Sequence, residues 1–162
     1  MDLDRRSVHR GGLRWFTRLP KPFRRVLVRV IKPCYTVSAM VVIRREDGHV
    51  LRVRHSYNVG AGLPGGLVDR REPIEDAAHR EVREEVGIGV DLTGPPMAMV
   101  DPLEQIVRVV FAAKPADGDD GASAHPVSAE IAAVSWAAAS DRAGLTPEAN
   151  AALDLVTGVP GR

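Results

Sequence analysis

Alternating apolar and polar positions in the first third of the chain predict paired β-strands. Residues 35–43 place β-branched or small apolar side chains at every second position, and Asp47-Gly48 then supplies a hairpin-turn sequence before residues 50–54. Residues 105–113 and 131–136 have the character of further strands. These segments together predict a mixed or antiparallel sheet.

Two other segments have the apolar spacing of three and four residues that is typical of helices. In the first, Pro73 suits the first helical turn and Gly87 ends the helix. Its apolar stripe consists of Ala77, Ala78, Val82 and Val86. In the second, Thr146 and Pro147 suit the cap and first turn of a helix that runs to about Val156. The chain therefore combines strands with helices.

Charge is distributed unevenly along the chain. Residues 1–32 carry ten Lys/Arg against two Asp/Glu, and residues 33–162 carry twelve against nineteen, so that +8 and −7 balance to a net charge of +1. Apolar side chains of the first segment fall on one helical stripe, namely Phe23, Val26, Leu27, Val30 and Ile31. We therefore divide the chain into a basic N-terminal extension with an amphipathic helix, residues 1–32, and one domain, residues 33–162. Packing of the stripe on the domain is the favoured interpretation, and contact with a membrane surface, nucleic acid or a partner chain is the alternative.

Composition excludes several classes of protein. A chain of 162 residues, 44% of them hydrophobic, suits one domain with an adequate core, and no apolar run is long enough to cross a membrane. No signal-peptide pattern is present and Cys34 has no second cysteine for an intrachain disulfide, so we expect a cytoplasmic protein. The five histidines show no metal-ligand spacing with Cys34, which argues against a zinc site.

Three glutamates share one face of the first predicted helix. Glu81, Glu84 and Glu85 lie at positions i, i+3 and i+4, and like charges at this spacing cost an isolated helix roughly 0.2–0.5 kcal/mol per pair. A bound cation would reverse that cost. Carboxylate oxygens without neighbouring Cys or His favour a hard cation, Mg²⁺ or Mn²⁺. The alternative interpretation is a solvated acidic face with surface ion pairs of little energetic consequence.

A glycine-containing turn precedes this helix. The glycines of Leu63-Pro64-Gly65-Gly66 allow the backbone to approach a ligand closely and leave N–H groups for phosphate oxygens. A phosphate site and a metal site would then meet at one cleft. An ordinary tight turn is the alternative.

The two features belong to one spaced pattern, G-x5-E-x7-R-E-U-x-E-E-x-G-U, where U is aliphatic, over residues 66–88. The fixed positions are Gly66, Glu72, Arg80, Glu81, Glu84, Glu85 and Gly87. The pattern resembles the Nudix box without a mismatch. The resemblance implies an α+β fold in which a mixed β-sheet is flanked by helices in an α/β/α sandwich. It also implies Mg²⁺-dependent hydrolysis of a diphosphate linkage in a nucleoside diphosphate derivative or nucleoside triphosphate.

The resemblance also assigns roles within the box. Metal binding is carried over to the three helix glutamates, and Arg80 is expected to pair with Glu72 and orient Glu81, while Gly66 and Gly87 are structural. Catalytic candidates are thus Arg80 and the box glutamates Glu81 and Glu84, together with Glu130 as the late-loop candidate for general base. The choice of base stays open between the box and Glu130, for which an exposed residue at a strand start is the alternative interpretation.

Substrate-binding candidates lie next to the box. Beside Gly65 and Gly66, the residues Arg54, His55 and Tyr57 could line a nucleotide pocket. Tyr57 could stack on a base and Arg54 could meet phosphate, although all three could equally be surface residues. Phe111 and Trp136 are the other aromatic candidates, and Trp136 suits the core better.

Two positions depart from what many similar chains contain. Ala61 stands where they have a tryptophan, and Arg71 where a glycine commonly precedes the first box glutamate. The expected partner is a nucleotide-type small molecule, and a homodimer is left open. The rival function is a non-catalytic Nudix-fold module that senses a nucleotide.

Overall fold

The computed structural model describes Pro20, residues 34–116 and residues 121–158. The chain divides into two units, Met1–Tyr35 and Thr36–Arg162, and the elements below belong to the second. In chain order they are β1 (Thr36–Ile43), β2 (His49–His55), β3 (Gly65–Leu67), α1 (Ile74–Val86), β4 (Val90–Asp101), β5 (Ile106–Pro115), β6 (Ile131–Ala138) and α2 (Pro147–Thr157). The basic amphipathic helix expected within residues 1–32 lies outside the described residues.

The strands form two sheets. One has the order β3-β1-β5-β4, with β1 and β5 parallel and the other neighbours antiparallel, and the second is the antiparallel pair β2-β6. The expectation of a mixed sheet is confirmed. The Asp47-Gly48 turn is also present, with the Arg45 N–H donating to the His49 carbonyl at 2.9 Å. Antiparallel pairing continues only to the bridge between Arg44 and Val50, and β1 and β2 then diverge into different sheets.

The alternating directions of the side chains along β1 explain how the sheet and the two helices form layers. Val41 and Ile43 are fully buried in one apolar cluster that includes Val82 of α1, whereas Val42 is buried in another that includes Leu153 of α2. Because successive strand side chains point to opposite faces, the two helices lie on opposite faces of the sheet. The structure therefore has the α/β/α arrangement of an α+β fold, as the resemblance implied.

Both helices have terminal residues that their sequence signals predict, with one correction at Pro73. The apolar stripe of α1 is fully buried, and Gly87 closes the helix at φ 75°, with its N–H donating to the Arg83 carbonyl at 3.1 Å. Pro73 is the extended N-cap residue and not a residue of the first turn. For α2, the Thr146 hydroxyl accepts from the Ala149 N–H at 3.3 Å, as expected of a cap.

Two strands were not anticipated. The predicted turn at Gly65-Gly66 is part of β3, which pairs with β1, and β4 forms the outer edge of the larger sheet. Pairing of β4 with β5 is interrupted between Thr93 and Met97, around two prolines. No helix among the described residues is long and apolar enough to cross a membrane.

Candidate active site

Arg80 on α1 is the centre of a network of charged groups. Its guanidinium contacts both carboxylate oxygens of Glu72, at 2.8 and 3.0 Å, and the Leu67 carbonyl of β3 at 3.0 Å. The Glu72 carboxylate also accepts the Asp69 N–H at 2.8 Å. Hydrogen bonds from Arg80 and then from Asp69 lower the pKa of Glu72 to about 2. Arg80 therefore holds the loop before α1 against the helix and the edge of the sheet.

The same guanidinium orients two of the helix glutamates. One nitrogen of Arg80 donates to Glu81 at 2.7 Å and to Glu84 at 3.2 Å. The Glu81 carboxylate lies directly against Gly66, where an added Cβ atom would be 2.5 Å from its carboxyl carbon. A glycine is required there because any side chain would displace Glu81.

Glu85 is the buried member of the three and is only 8% exposed. One of its carboxylate oxygens accepts the Gly65 N–H at 3.1 Å. Burial raises the pKa of Glu85 to about 7, against the effect of that hydrogen bond and with the help of the negative charges of Glu81, Glu130 and Glu84. The N–H of Gly65 thus donates to a carboxylate, whereas the sequence had suggested that it would be available to phosphate oxygens.

The second sheet brings Glu130 to the same place. His55, the last residue of β2, pairs with Ile131 at the start of β6, so Glu130 lies beside the segment that follows β2. The Ser56 N–H donates to the Glu130 carbonyl at 2.8 Å. Partial burial raises the pKa of the Tyr57 hydroxyl, and the charges of Glu130 and Glu85 raise it further. Tyr57 and Glu130, which lie beside the second sheet, therefore share one electrostatic environment with the glutamates of α1.

The glutamate face and its glycine loop match a known family. The family model described as "NUDIX domain" matches residues 35–155. The chain belongs to this family.

Relatives of this Nudix chain agree with that assignment. A MutT-like protein of Streptomyces ambofaciens is 36% identical over 104 residues, which cover 64% of each chain. The ADP compounds hydrolase NudE of Escherichia coli (strain K12) is 39% identical over 62 residues, which cover 35% of this chain and 33% of that protein. This chain thus spans less than two thirds of the length of these relatives. The crystal structure of a MutT NUDIX hydrolase from Burkholderia pseudomallei is 30% identical, with a TM-score of 0.62 and coverage of 75% of this chain and 97% of that one.

Nudix hydrolases generally use divalent cations, and the donor set here suits such an ion. The three glutamates of the helix offer carboxylate oxygens, and the buried Glu85 is close enough to Glu81, Glu130 and Glu84 for their charges to raise its pKa. No three His, Cys, Asp or Glu side chains within the described part of the chain already form a metal-binding group. Arg80 explains part of the separation between the helix carboxylates, because it donates hydrogen bonds to those of Glu81 and Glu84.

Other candidate residues are placed less closely. Arg54 is an exposed residue of β2, one position before the register shift between β2 and β6. Phe111 is buried in the core, and Trp136 packs against the same cluster and donates its ring N–H to the Gly121 carbonyl. His55 is the third candidate for the lining of a nucleotide pocket, and its ring contacts Tyr57. The sequence did not predict this ring contact.

Proposed function

We propose that this Nudix protein hydrolyses a diphosphate linkage in a nucleoside diphosphate derivative or a nucleoside triphosphate, with Mg²⁺ as its metal and Mn²⁺ as a substitute. One observation carries the proposal. Three carboxylates of α1 lie beside a glycine loop, and Glu130 reaches the same environment from the other sheet. A solvated acidic surface would not require Glu85 to be buried or Gly66 to lack a side chain.

Glu81, Glu84 and Glu85 would hold the metal. When bound, the ion would neutralise charge on the phosphoryl oxygens and lower the pKa of a bound water. The protein's own part is positioning. Arg80 keeps Glu81 against Gly66, and the Gly65 N–H keeps Glu85 turned toward the loop. A free carboxylate, either Glu130 or one of the box glutamates, would take the proton of the attacking water.

The substrate side of the site is assigned to the loop before α1 and the segment after β2. We assign Gly65 and Gly66 to the diphosphate, because Gly66 lies against the Glu81 carboxylate. Arg54 and Tyr57 are assigned to the remainder of the substrate. The matching relative named for ADP compounds supports a nucleotide substrate.

We place the reaction in the cytoplasm, and we leave both a monomer and a homodimer open. A single cysteine fits a reducing compartment. Velocity sedimentation of the purified chain would show whether one copy or two perform the reaction.

Turnover by two matched variants tests the proposal. Phosphate release, coupled to pyrophosphatase or phosphatase, is measured with Mg²⁺ or Mn²⁺ on nucleoside triphosphates, nucleotide sugars, ADP-ribose and dinucleotides. We expect one compound to be preferred, and Glu84→Gln and Glu85→Gln each to reduce its turnover by about a hundredfold or more. Glu46→Gln, an exposed residue in the β1-β2 turn, is the control.

Thermal unfolding verifies that each variant is folded. Full activity in both glutamate variants would contradict the metal assignment. Nucleotide binding without any turnover by the wild-type protein would instead favour the sensing module.

A further inference from the structure

Arg52 is a charged side chain buried in the β2-β6 sheet. It lies in the middle of β2, opposite Ser135 of β6, and is 5% exposed. Its neighbours along the strand, Leu51 and Val53, belong to the apolar core. The Nε–H of Arg52 is buried and has no hydrogen-bond partner among the residues that the structure describes. Because a buried guanidinium with an unpaired donor lowers stability, core packing alone does not explain an arginine here.

The guanidinium of Arg52 holds the loop between β6 and α2, residues 139–146, which we call the β6-α2 loop. One of its nitrogens donates to the carbonyl of Ala138, at 3.2 Å, and to that of Asp141. The other terminal nitrogen lies 3.6 Å from the Asp141 carboxylate. Three contacts therefore tie the start of this loop to β2.

A second arginine ties the same loop to α2. Arg142 donates from one nitrogen to the Asn150 carbonyl at 3.2 Å, and its other terminal nitrogen lies 2.9 Å from the Asp154 carboxylate. The side-chain amide of Asn150 in turn donates to the Leu145 carbonyl at 3.4 Å. Guanidinium groups thus connect the β6-α2 loop both to a strand and to a helix.

The β6-α2 loop supports the loop between β2 and β3, residues 56–64, which we call the β2-β3 loop. The Ala61 N–H donates to the Gly144 carbonyl at 2.7 Å, and the Thr146 N–H donates to the Ala61 carbonyl at 2.9 Å. Gly60 has a φ angle of +116°, and a Cβ atom on it would lie 3.1 Å from the same Gly144 carbonyl. The two backbones are therefore in direct contact, and a displacement of one loop displaces the other.

The β2-β3 loop carries Tyr57, which is assigned above to the substrate. Tyr57 is 67% exposed, so burial of its side chain does not fix the course of the loop. Val53 and Gly62 close the loop by exchanging backbone hydrogen bonds of 3.0 and 2.7 Å. Between them, the backbone is held at Ser56, by the Glu130 carbonyl, and at Ala61, by the β6-α2 loop.

We propose that Arg52 and Arg142 are positioning residues, which fix the β6-α2 loop and, through Ala61, the β2-β3 loop on which the substrate binds. Neither arginine acts on the reacting atoms. A loop that is already held in its binding conformation loses less conformational entropy when a ligand binds, which strengthens binding. The inference adds two residues of β2 and the β6-α2 loop to the proposed function, and its kinetic part rests on that function.

Amide hydrogen exchange of the full chain, without metal or substrate, tests the positioning directly. Arg52→Met and Arg142→Met each replace a guanidinium by an apolar side chain. The Ala61 N–H should exchange at least about tenfold faster in both variants, because the loop that accepts it opens locally. The Val82 N–H, in the buried centre of α1, reports global unfolding and should be accelerated less.

Arg52→Lys is the rescue variant. It retains a charged donor for the carbonyls of Ala138 and Asp141, so its Ala61 N–H should exchange more slowly than that of Arg52→Met. Arg108→Met is the matched control. The Arg108 side chain of β5 is only 15% exposed and pairs with Glu104 at 2.8 Å in the larger sheet. This control should leave exchange at Ala61 unchanged.

Steady-state kinetics supply the second readout. With a substrate that is turned over, Arg52→Met and Arg142→Met should each raise KM by about fivefold or more and keep kcat within about threefold of the wild type. Loss of an interaction made equally in the ground state and the transition state appears in KM alone. A lower kcat with an unchanged KM would overturn the link between these arginines and substrate binding.

The exchange data separate this inference from the proposed function. Unchanged exchange at Ala61 in both methionine variants overturns it, even if hydrolysis is established. Acceleration at Ala61 that is no larger than at Val82 also overturns it, because the arginines would then stabilise the fold without positioning the loop. If Arg52→Lys exchanges as fast as Arg52→Met, the role of Arg52 is overturned. Faster local exchange at Ala61 in a protein that shows no turnover upholds the positioning while the proposed hydrolysis fails. Should Arg52→Met not fold, Arg142→Met carries the same test.

Discussion

Arg71 has a backbone conformation that few residues other than glycine adopt. Its φ angle is +69°, in the left-handed region, where a Cβ atom crowds the following carbonyl. A glycine would adopt this conformation without strain. The residue directly precedes Glu72, so the strained turn delivers that glutamate to Arg80.

We expect Arg71→Gly to stabilise the protein by about 0.5–1 kcal/mol. Relief of the left-handed strain should exceed the entropy that glycine adds to the unfolded chain. Urea unfolding followed by circular dichroism measures the change. Arg70→Gly is the control, since Arg70 has no positive φ and should only lose stability. A less stable Arg71→Gly protein would mean that the arginine side chain contributes more than the strain costs.

The residues of the site were predictable to different extents. Spacing along one helix sufficed to place Glu81, Glu84 and Glu85 on a common face, because the helix period is fixed. It did not indicate that Glu85 alone would be buried, since burial depends on the loop that covers it. Nor did it show that Arg80 would contact Glu84 as well as Glu81.

At the scale of elements, β3 contains two glycines, one of which lies against β1 and the other against α1. A Cβ atom on Gly65 would overlap the Ala39 carbonyl of β1, which belongs to the sheet and cannot move freely. A Cβ atom on Gly66 would instead meet the end of the flexible Glu81 side chain. The first glycine is thus required by the packing of the strands, and the second by the position of a carboxylate.

Alanine substitution should separate these two requirements. We expect Gly65→Ala to lower the free energy of unfolding by more than about 2 kcal/mol, since strand backbone must shift. Gly66→Ala should remain within about 1 kcal/mol of the wild type and lose about a hundredfold in turnover, because displacement of a catalytic group by 1 Å has that effect. Unfolding curves and phosphate release on the same samples measure both. Full activity in Gly66→Ala would show that the placement of Glu81 is unimportant.

The elements that sequence patterns missed are those defined by distant partners. Within β4, Gly94-Pro95-Pro96 is typical of a turn, and the strand exists because β5 pairs with it on both sides of that interruption. Likewise β3 has only three residues, two of them glycines. The helices were predicted more closely because their periodicity and caps are local signals, as Thr146 and Gly87 show.

At the scale of the whole molecule, the candidate site lies where the two sheets bring separate parts of the chain together. Tyr57 and Glu130 are adjacent only because β2 pairs with β6, and Glu85 faces them from α1. Sequence patterns predicted β2 and β6 but not their pairing, so the electrostatic coupling of the three residues could not be predicted. The fold thereby concentrates negative charge in a partly buried place, at a cost to its own stability.

Glu85→Gln should make that cost measurable. In the metal-free protein at pH 8, removal of this buried charge beside Glu81, Glu84 and Glu130 should raise the free energy of unfolding by about 1–2 kcal/mol. Glu84→Gln, at an exposed position, should change the free energy of unfolding by less than about 1 kcal/mol.

Thermal unfolding in EDTA measures the stability of the metal-free proteins, and the same experiment with an excess of Mg²⁺ measures the stabilisation by the ion. The ion should stabilise the wild type and have a smaller effect on Glu85→Gln, because the variant has lost a ligand. If Glu85→Gln were less stable than the wild type without metal, the hydrogen bond to Gly65 would outweigh the repulsion, and Glu85 would be chiefly a structural residue.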